Sequence, residues 1–166
     1  MLLKRQNTTK YPGNSNLKIQ KANLNNAEEI QSLVASLSSF YLEKPNSVLP
    51  DWFKETIKQT EIEKRLLNGE YKNYVYLKEG KIIGYIAIKT DGHLYHLFVK
   101  KECQGKGIAR ALWSYANEIV NCHIYTVNSS IFAVPIYEQF GFIISGDISE
   151  KDGIKYQPMK LVQYEG

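Results

Sequence analysis

Cysteine, methionine, tryptophan and histidine are all scarce in this chain. Its two cysteines, Cys103 and Cys122, show no C-x-x-C spacing, which argues against a disulfide framework and for reduced thiols. Cys122 adjoins His123, but neighbours on an extended chain point opposite ways, so the pair makes no dyad. No apolar run approaches the roughly 20 residues that cross a bilayer, and Met1–Lys10 lacks the apolar stretch of a signal peptide. A cytoplasmic protein with no membrane partner is expected. The net charge is only +4, the basic residues are scattered and no arginine-rich arm is present, so nucleic acid is not implied. No metal is expected.

What is present is a globular composition. Apolar residues make up 43% and charged residues 23% of 166, enough for one domain with a proper core. Residues 1–16 are polar and aperiodic and read as a loose tail, leaving 17–166 as a single domain.

Leu17–Lys21 alternates as a strand. Asn26 with Glu29 forms an asparagine version of the capping box, ahead of Ile30, Leu33, Val34, Leu37 and Tyr41 on one helical face. Glu43–Pro50 is a loop, and Asp51–Leu67 is one or two helices with Phe53, Ile57, Ile62 and Leu66 as buried candidates, stopped at Asn68-Gly69. Tyr71–Leu77 and Lys81–Lys89 make a hairpin through Glu79-Gly80, followed by a strand at His93–Val99. The helix Ala109–Val120 carries stripes at Ile108, Leu112, Tyr115, Ile119 and at Ala109, Trp113, Ala116, Val120; a strand follows at Ile124–Val127. Strand–helix–strand at this spacing implies a right-handed parallel crossover within a mostly antiparallel sheet. Pro135 predicts a distorted turn before a regular helix, Gly141 its left-handed cap, and Phe142–Ile148 with Lys155–Gln163 a final hairpin around Lys151-Asp152-Gly153.

Between the third strand of that hairpin series and the long helix lies Gln104-Gly105-Lys106-Gly107-Ile108-Ala109. A glycine turn opening a helix aims unpaired N–H groups and the positive end of the helix dipole at one point, which suits a phosphate. The ATP/GTP loop fails here because Gly107, not a hydroxyl residue, follows Lys106; the dinucleotide fingerprint fails because Arg110 stands where its third glycine belongs. The pattern [QR]-x-x-G-x-[GA] fits at Gln104, Gly107 and Ala109. Downstream, Asn128 precedes a short helix carrying Tyr137 and ending in Gly141-Phe142, and Gly153–Met159 reads as a closing strand.

These segments, in this order, resemble the GNAT superfamily of N-acyltransferases over roughly residues 17 to 163. The resemblance implies an α/β (α+β) fold: a mixed, mostly antiparallel sheet with a splayed parallel strand pair and about four flanking helices. It implies an acetyl-CoA-dependent N-acetyltransferase, with acetyl-CoA as co-substrate and an amine as acceptor. Coenzyme A would be held by Gln104, Gly105, Lys106, Gly107, Ile108, Ala109 and Arg110 at its pyrophosphate, and by Leu97, Val99, Asn128 and Tyr137 along its arm. The Leu97 N–H would be the oxyanion donor and Tyr137 the general acid for the thiolate. The base position, four residues before the oxyanion donor, is a carboxylate in some members and is His93 here. His93 would act directly or through water if positions 93, 95, 97 and 99 share a face, which a bulge would prevent.

The acceptor is left open between a small amine or amino-acid-like compound and a protein amino group. Tyr41, Trp52, Phe53 and Tyr156 are the candidates to line its site. Oligomeric state, a homodimer included, is also open. The alternative to catalysis is a regulatory domain that binds acyl-CoA without turnover.

Overall fold

The computed structural model describes residues 17–38 and 48–164; the expected tail at 1–16 and Tyr41 lie outside them. Eight strands form one sheet: β1 (Leu17–Lys21), β2 (Tyr71–Lys78), β3 (Lys81–Lys89), β4 (His93–Val99), β5 (Ile124–Ser130), β6 (Ile143–Ile144), β7 (Ser149–Lys151) and β8 (Ile154–Val162). Their order is β1-β2-β3-β4-β5-β8-β6, with β7 on β8. All pairs are antiparallel except β4 with β5. Five helices flank it: α1 (Ala27–Leu37), α2 (Asp51–Thr56), α3 (Gln59–Leu67), α4 (Ile108–Val120) and α5 (Val134–Gln139). Among the described residues no helix is long and apolar enough to cross a membrane.

The two faces of the sheet carry separate cores, as period-2 strands require. Ile86, Ile88, Leu94, Tyr125 and Val127 meet Ile108, Leu112, Trp113 and Ala116 of α4 on one face. Val75, Tyr85, Ala87 and Phe98 meet Ile30, Leu33, Val34 and Leu37 of α1 and Ile62 of α3 on the other. The apolar stripes of α1 and α4 account for this packing, although Ile119 ends exposed and Ala111 is buried instead.

Local chemistry explains most element ends. Glu79 and Gly80 turn β2 into β3 with φ of 51° and 76°, and Asp152 and Gly153 turn β7 into β8 with 52° and 83°. A short 3₁₀ turn at Ile131–Ala133 leads into α5, where Pro135 sits in the first turn and removes no helical hydrogen bond. Two expectations need correction. Asn23 is the N-cap of the capping box, in front of a 3₁₀ turn at Leu24–Asn26, and Asn26 is its reciprocal partner rather than the cap; Glu29 instead accepts from the Ile82 N–H at 2.6 Å, tying α1 to β3. The strand expected over Phe142–Ile148 shrinks to β6, because Ser145-Gly146-Asp147 leaves β8 after the Ser145 N–H bonds the Pro158 carbonyl.

β4 and β5 pair only at His93 with Thr126 and Leu94 with Val127, then part. Gly92 makes that short contact possible. The Thr126 N–H donates to its carbonyl at 3.1 Å, its φ is +95°, and a Cβ there would land on the Ile124 carbonyl oxygen. Gly92→Ala is therefore expected to destabilise the fold by about 3 kcal/mol through strain and overpacking. Urea unfolding measures this, and an unmoved midpoint would show that β4 and β5 are not held together here.

Candidate active site

The main chain of β4 changes phase part-way along. The Gly92 carbonyl faces β5, whereas the Lys100 N–H donates to Ile83 of β3 at 2.8 Å. Simple alternation would send two even-numbered positions to the same edge. The register shift that pairs Ile88 with Leu94 but Ala87 with His96 resolves this by placing one extra residue, Tyr95, in β4. Beyond the bulge, Leu97 and Val99 turn their N–H and C=O groups away from β3, toward the side from which β5 has diverged. On β5, the bond from the Thr126 N–H to Gly92 puts the main chain of Asn128 on the facing edge.

Between these edges lies a cleft of about 320 Å³ that passes through the sheet. Leu97, Val99, Gln104, Gly105, Gly107, Ile108, Ala109, Arg110, Asn128 and Tyr137 all line it, so most of the site read from sequence comes together. Lys106 does not line it. Gly105 and Gly107 have φ of 76° and 82°, and both would carry a Cβ into open space. Gly107 is the N-cap of α4, with no side-chain cap, so the first-turn N–H groups open toward the cleft. The Gln104 amide donates to the Val99 carbonyl at 2.9 Å and fastens the loop to β4. Arg110 reaches across the cleft to donate to the Gln139 carbonyl at 3.2 Å and covers the Phe140 ring. The cradle thus fits a diphosphate, and the open edges fit an extended amide-bearing arm.

Tyr137 is buried on α5, its ring edge-on to Phe140 and Phe142 at 6.0 and 5.6 Å. The Phe142 N–H donates to the Tyr137 carbonyl, so the Gly141 turn fixes this end of α5.

His93 is a correction. The bulge rotates it off the face of Leu97: Leu94, Leu97 and Val99 pack on the α4 side, and His93 stands opposite. Its Nδ1 lies 2.8 Å from the Thr126 hydroxyl, burial lowers its pKa, and it does not line the cleft. Trp52, Phe53 and Tyr156 do not line it either. Trp52 instead donates to Asp152 at 2.8 Å, with Lys151 over its ring. The end of the cleft away from the glycine loop is walled by Leu37, Tyr95 and Phe98.

Behind Tyr95 stands a group that reading the strand in isolation missed. Arg65 is buried, its guanidinium 5.1 Å from the Tyr95 ring centre; Nη2 donates to the Thr56 carbonyl at 3.1 Å, while Nε is sealed without a partner. A signal existed: Arg65 follows Ile62 by three and precedes Leu66, on the inward stripe of α3. His96 shares this cluster, edge-on to Tyr95 at 4.4 Å, with Nε2 sealed and unpartnered. Burial, and secondarily Arg65, push its pKa down to about 3.

A histidine lowered this far makes stability pH-dependent. The unfolded chain takes up the proton below pH 6.5 and the folded one only near 3, so stability is present above 6.5 and is lost as pH falls through that window. A loss of about 2 kcal/mol between pH 6.5 and 5 is expected from His96, and His96→Gln should remove that share of the slope. Urea titrations of both proteins at the two pH values test this; parallel slopes would refute it.

The comparisons with known proteins agree with this geometry. A protein of Methanocaldococcus jannaschii named as an uncharacterised N-acetyltransferase is 36% identical over 84 residues, 43% of this chain and 54% of its own. The chain thus spans about half the length of that curated relative. In fold, it resembles the PaiA N-acetyltransferase of Thermoplasma acidophilum in complex with coenzyme A, with a TM-score of 0.72, 14% identity, and 89% and 99% of the two chains covered. It also resembles the spermidine N-acetyltransferase of Vibrio cholerae in complex with coenzyme A and spermine, with a TM-score of 0.63, 19% identity, and 90% and 97% covered. A family model described as the acetyltransferase (GNAT) domain matches residues 35–163, and the chain belongs to that family.

Proposed function

We propose that the protein transfers an acetyl group from acetyl-CoA to a primary amine, by direct attack on the thioester in a ternary complex. The observation that carries this reading is the convergence on one cleft of two diverging strand edges, a glycine cradle at a helix N-terminus, and Tyr137. Coenzyme A, when bound, supplies the activated acyl group. The cradle Gln104–Arg110 holds its pyrophosphate, and the edges at Val99 and Asn128 hold its arm. The Leu97 N–H, turned into the gap by the bulge, stabilises negative charge that develops on the thioester oxygen only during attack. Tyr137 holds a proton at neutral pH and gives it to the departing thiolate, and the proton that the attacking nitrogen sheds as the amide forms restores the phenol. His93 receives no role as base, since it stands on the other face and outside the cleft. Supply of acetyl-CoA makes the cytoplasm the expected compartment.

Two variants test the assignment with thiol release across a panel of amines. Tyr137→Phe should lower kcat at least 100-fold while leaving acetyl-CoA affinity unchanged. Undiminished turnover would remove Tyr137 from the mechanism. Gly107→Glu should abolish acetyl-CoA binding in calorimetry without unfolding the domain, by placing a carboxylate in the cradle. Retained affinity would refute the role of the loop. Binding without turnover on any amine would favour the regulatory alternative.

A further inference from the structure

The end of the cleft away from the glycine loop is apolar, with a buried cation behind its wall. Its wall is Leu37, Tyr95 and Phe98. The ring of Tyr95 is held from behind by Arg65 at 5.1 Å and edge-on by Tyr71 at 5.6 Å and His96 at 4.4 Å. Among the described residues, Arg65 makes no ion pair, and no carboxylate or imidazole lines the cleft. Arg65 itself does not line the cleft; the ionised residue that does, Arg110, is also cationic and stands at the phosphate end.

The groups facing Tyr95 from each packed element are accordingly cationic or neutral. They are Arg65 from α3, Tyr71 from β2 with Lys89 of β3 over its ring, Tyr85 from β3, and His96 beside it on β4; α1 offers only Leu37. Among the described residues no carboxylate pairs with this guanidinium, and such a charge in low dielectric opposes a second positive charge nearby. It also occupies the rear face of Tyr95, leaving that side no room for a cationic acceptor. The same field helps keep His96 neutral.

Resting on the transferase reading above, we propose that the acceptor is the α-amine of a peptide or protein whose first side chain is apolar, and that Arg65 selects it by admitting the amine uncharged. A peptide α-amine has a pKa of about 7.8, so about one molecule in seven is neutral at pH 7. A lysine-type amine is neutral in about four of ten thousand, a difference of roughly 300-fold. With no carboxylate or imidazole among the described residues of the cleft wall, that difference passes directly into rate. Arg65 acts as a positioning residue, through the charge state of the amine and not by contact with the reacting atoms.

The test uses the whole chain with acetyl-CoA and three amines: a tripeptide amide beginning with leucine, Nα-acetyl-lysine amide, and spermidine. At pH 7 the kcat/KM for the peptide should exceed both others by at least 100-fold, with the ratio collapsing toward pH 10 as they lose their protons. Equal rates at pH 7, or a ratio unchanged at pH 10, would overturn the proposal. Acetyl-CoA binding with no turnover of any amine would overturn the transferase reading itself, and this proposal with it. Arg65→Gln should shift the midpoint of the kcat–pH profile for the peptide upward by about one pH unit and cut the peptide-to-spermidine ratio at least tenfold. Arg65→Lys should keep both near wild type. An unmoved midpoint in Arg65→Gln would reduce Arg65 to packing. Should Arg65→Gln fail to fold, the wild-type panel and Arg65→Lys still decide.

Discussion

One extra residue in β4 governs the site. The register slip opposite Ala87 and Ile88 absorbs Tyr95 and inverts the main-chain phase of everything after it. Without the slip, His96 and Phe98 would turn their N–H groups toward β5, and Leu97 would spend its own on β3. With it, the Leu97 and Val99 groups face the gap while their side chains stay packed against the α4 core. A bulge breaks one rung of a ladder in order to re-aim the next few residues. In the transferase reading proposed above, the re-aimed groups are the ones that chemistry at a thioester would need.

The gap itself depends on a balance between attachment and divergence. Gly92 lets β4 and β5 meet closely at one end, and at the other they part around a cleft lined by Val99, Ile108 and the glycine loop. Exposed strand edges are ordinarily covered or blunted, since they template association. This molecule leaves two of them facing each other inside a single cleft, where a ligand shaped like a strand can satisfy both. The hydrogen bond from Gln104 to the Val99 carbonyl joins loop and edge, so the cradle and the gap are positioned by the same strand.

The sheet order, the glycine loop and α5 were legible because each rests on local signals: alternation, turn glycines, a proline confined to a first helical turn. The cleft-lining set from Gln104 to Arg110, with Leu97, Val99, Asn128 and Tyr137, followed from those signals plus spacing. His93 did not, because a bulge leaves no mark in composition and reverses every parity argument that crosses it. Arg65 was missed for another reason. A charge on an inward stripe looks like noise in an amphipathic pattern until the helix is seen packed against Tyr95, Tyr85 and His96. Asn26 and Glu29 failed as a cap because Glu29 found a β3 N–H at 2.6 Å, a tertiary partner that local sequence cannot weigh.

An acid without a base has a consequence for how the reaction divides its work. In the proposed mechanism Tyr137 would protonate a leaving group that would otherwise return, so its contribution would fall after attack. In that mechanism the ammonium proton of the nucleophile must be lost before attack, and the described residues of the cleft wall include no carboxylate or imidazole to take it. Among the described residues Arg65 has no counter-charge, and its burial is costly to the fold: its sealed Nε and the sealed Nε2 of His96 each forgo a hydrogen bond, at roughly 1–3 kcal/mol for such a group. Such a cost persists where the charge does something that a neutral side chain would not. On the proposal made above, fixed positive potential where an ammonium would arrive would perform the base's task in advance, by making the protonated amine the form that does not bind. Selectivity for amine basicity and activation of the nucleophile then become one electrostatic property of the same pocket.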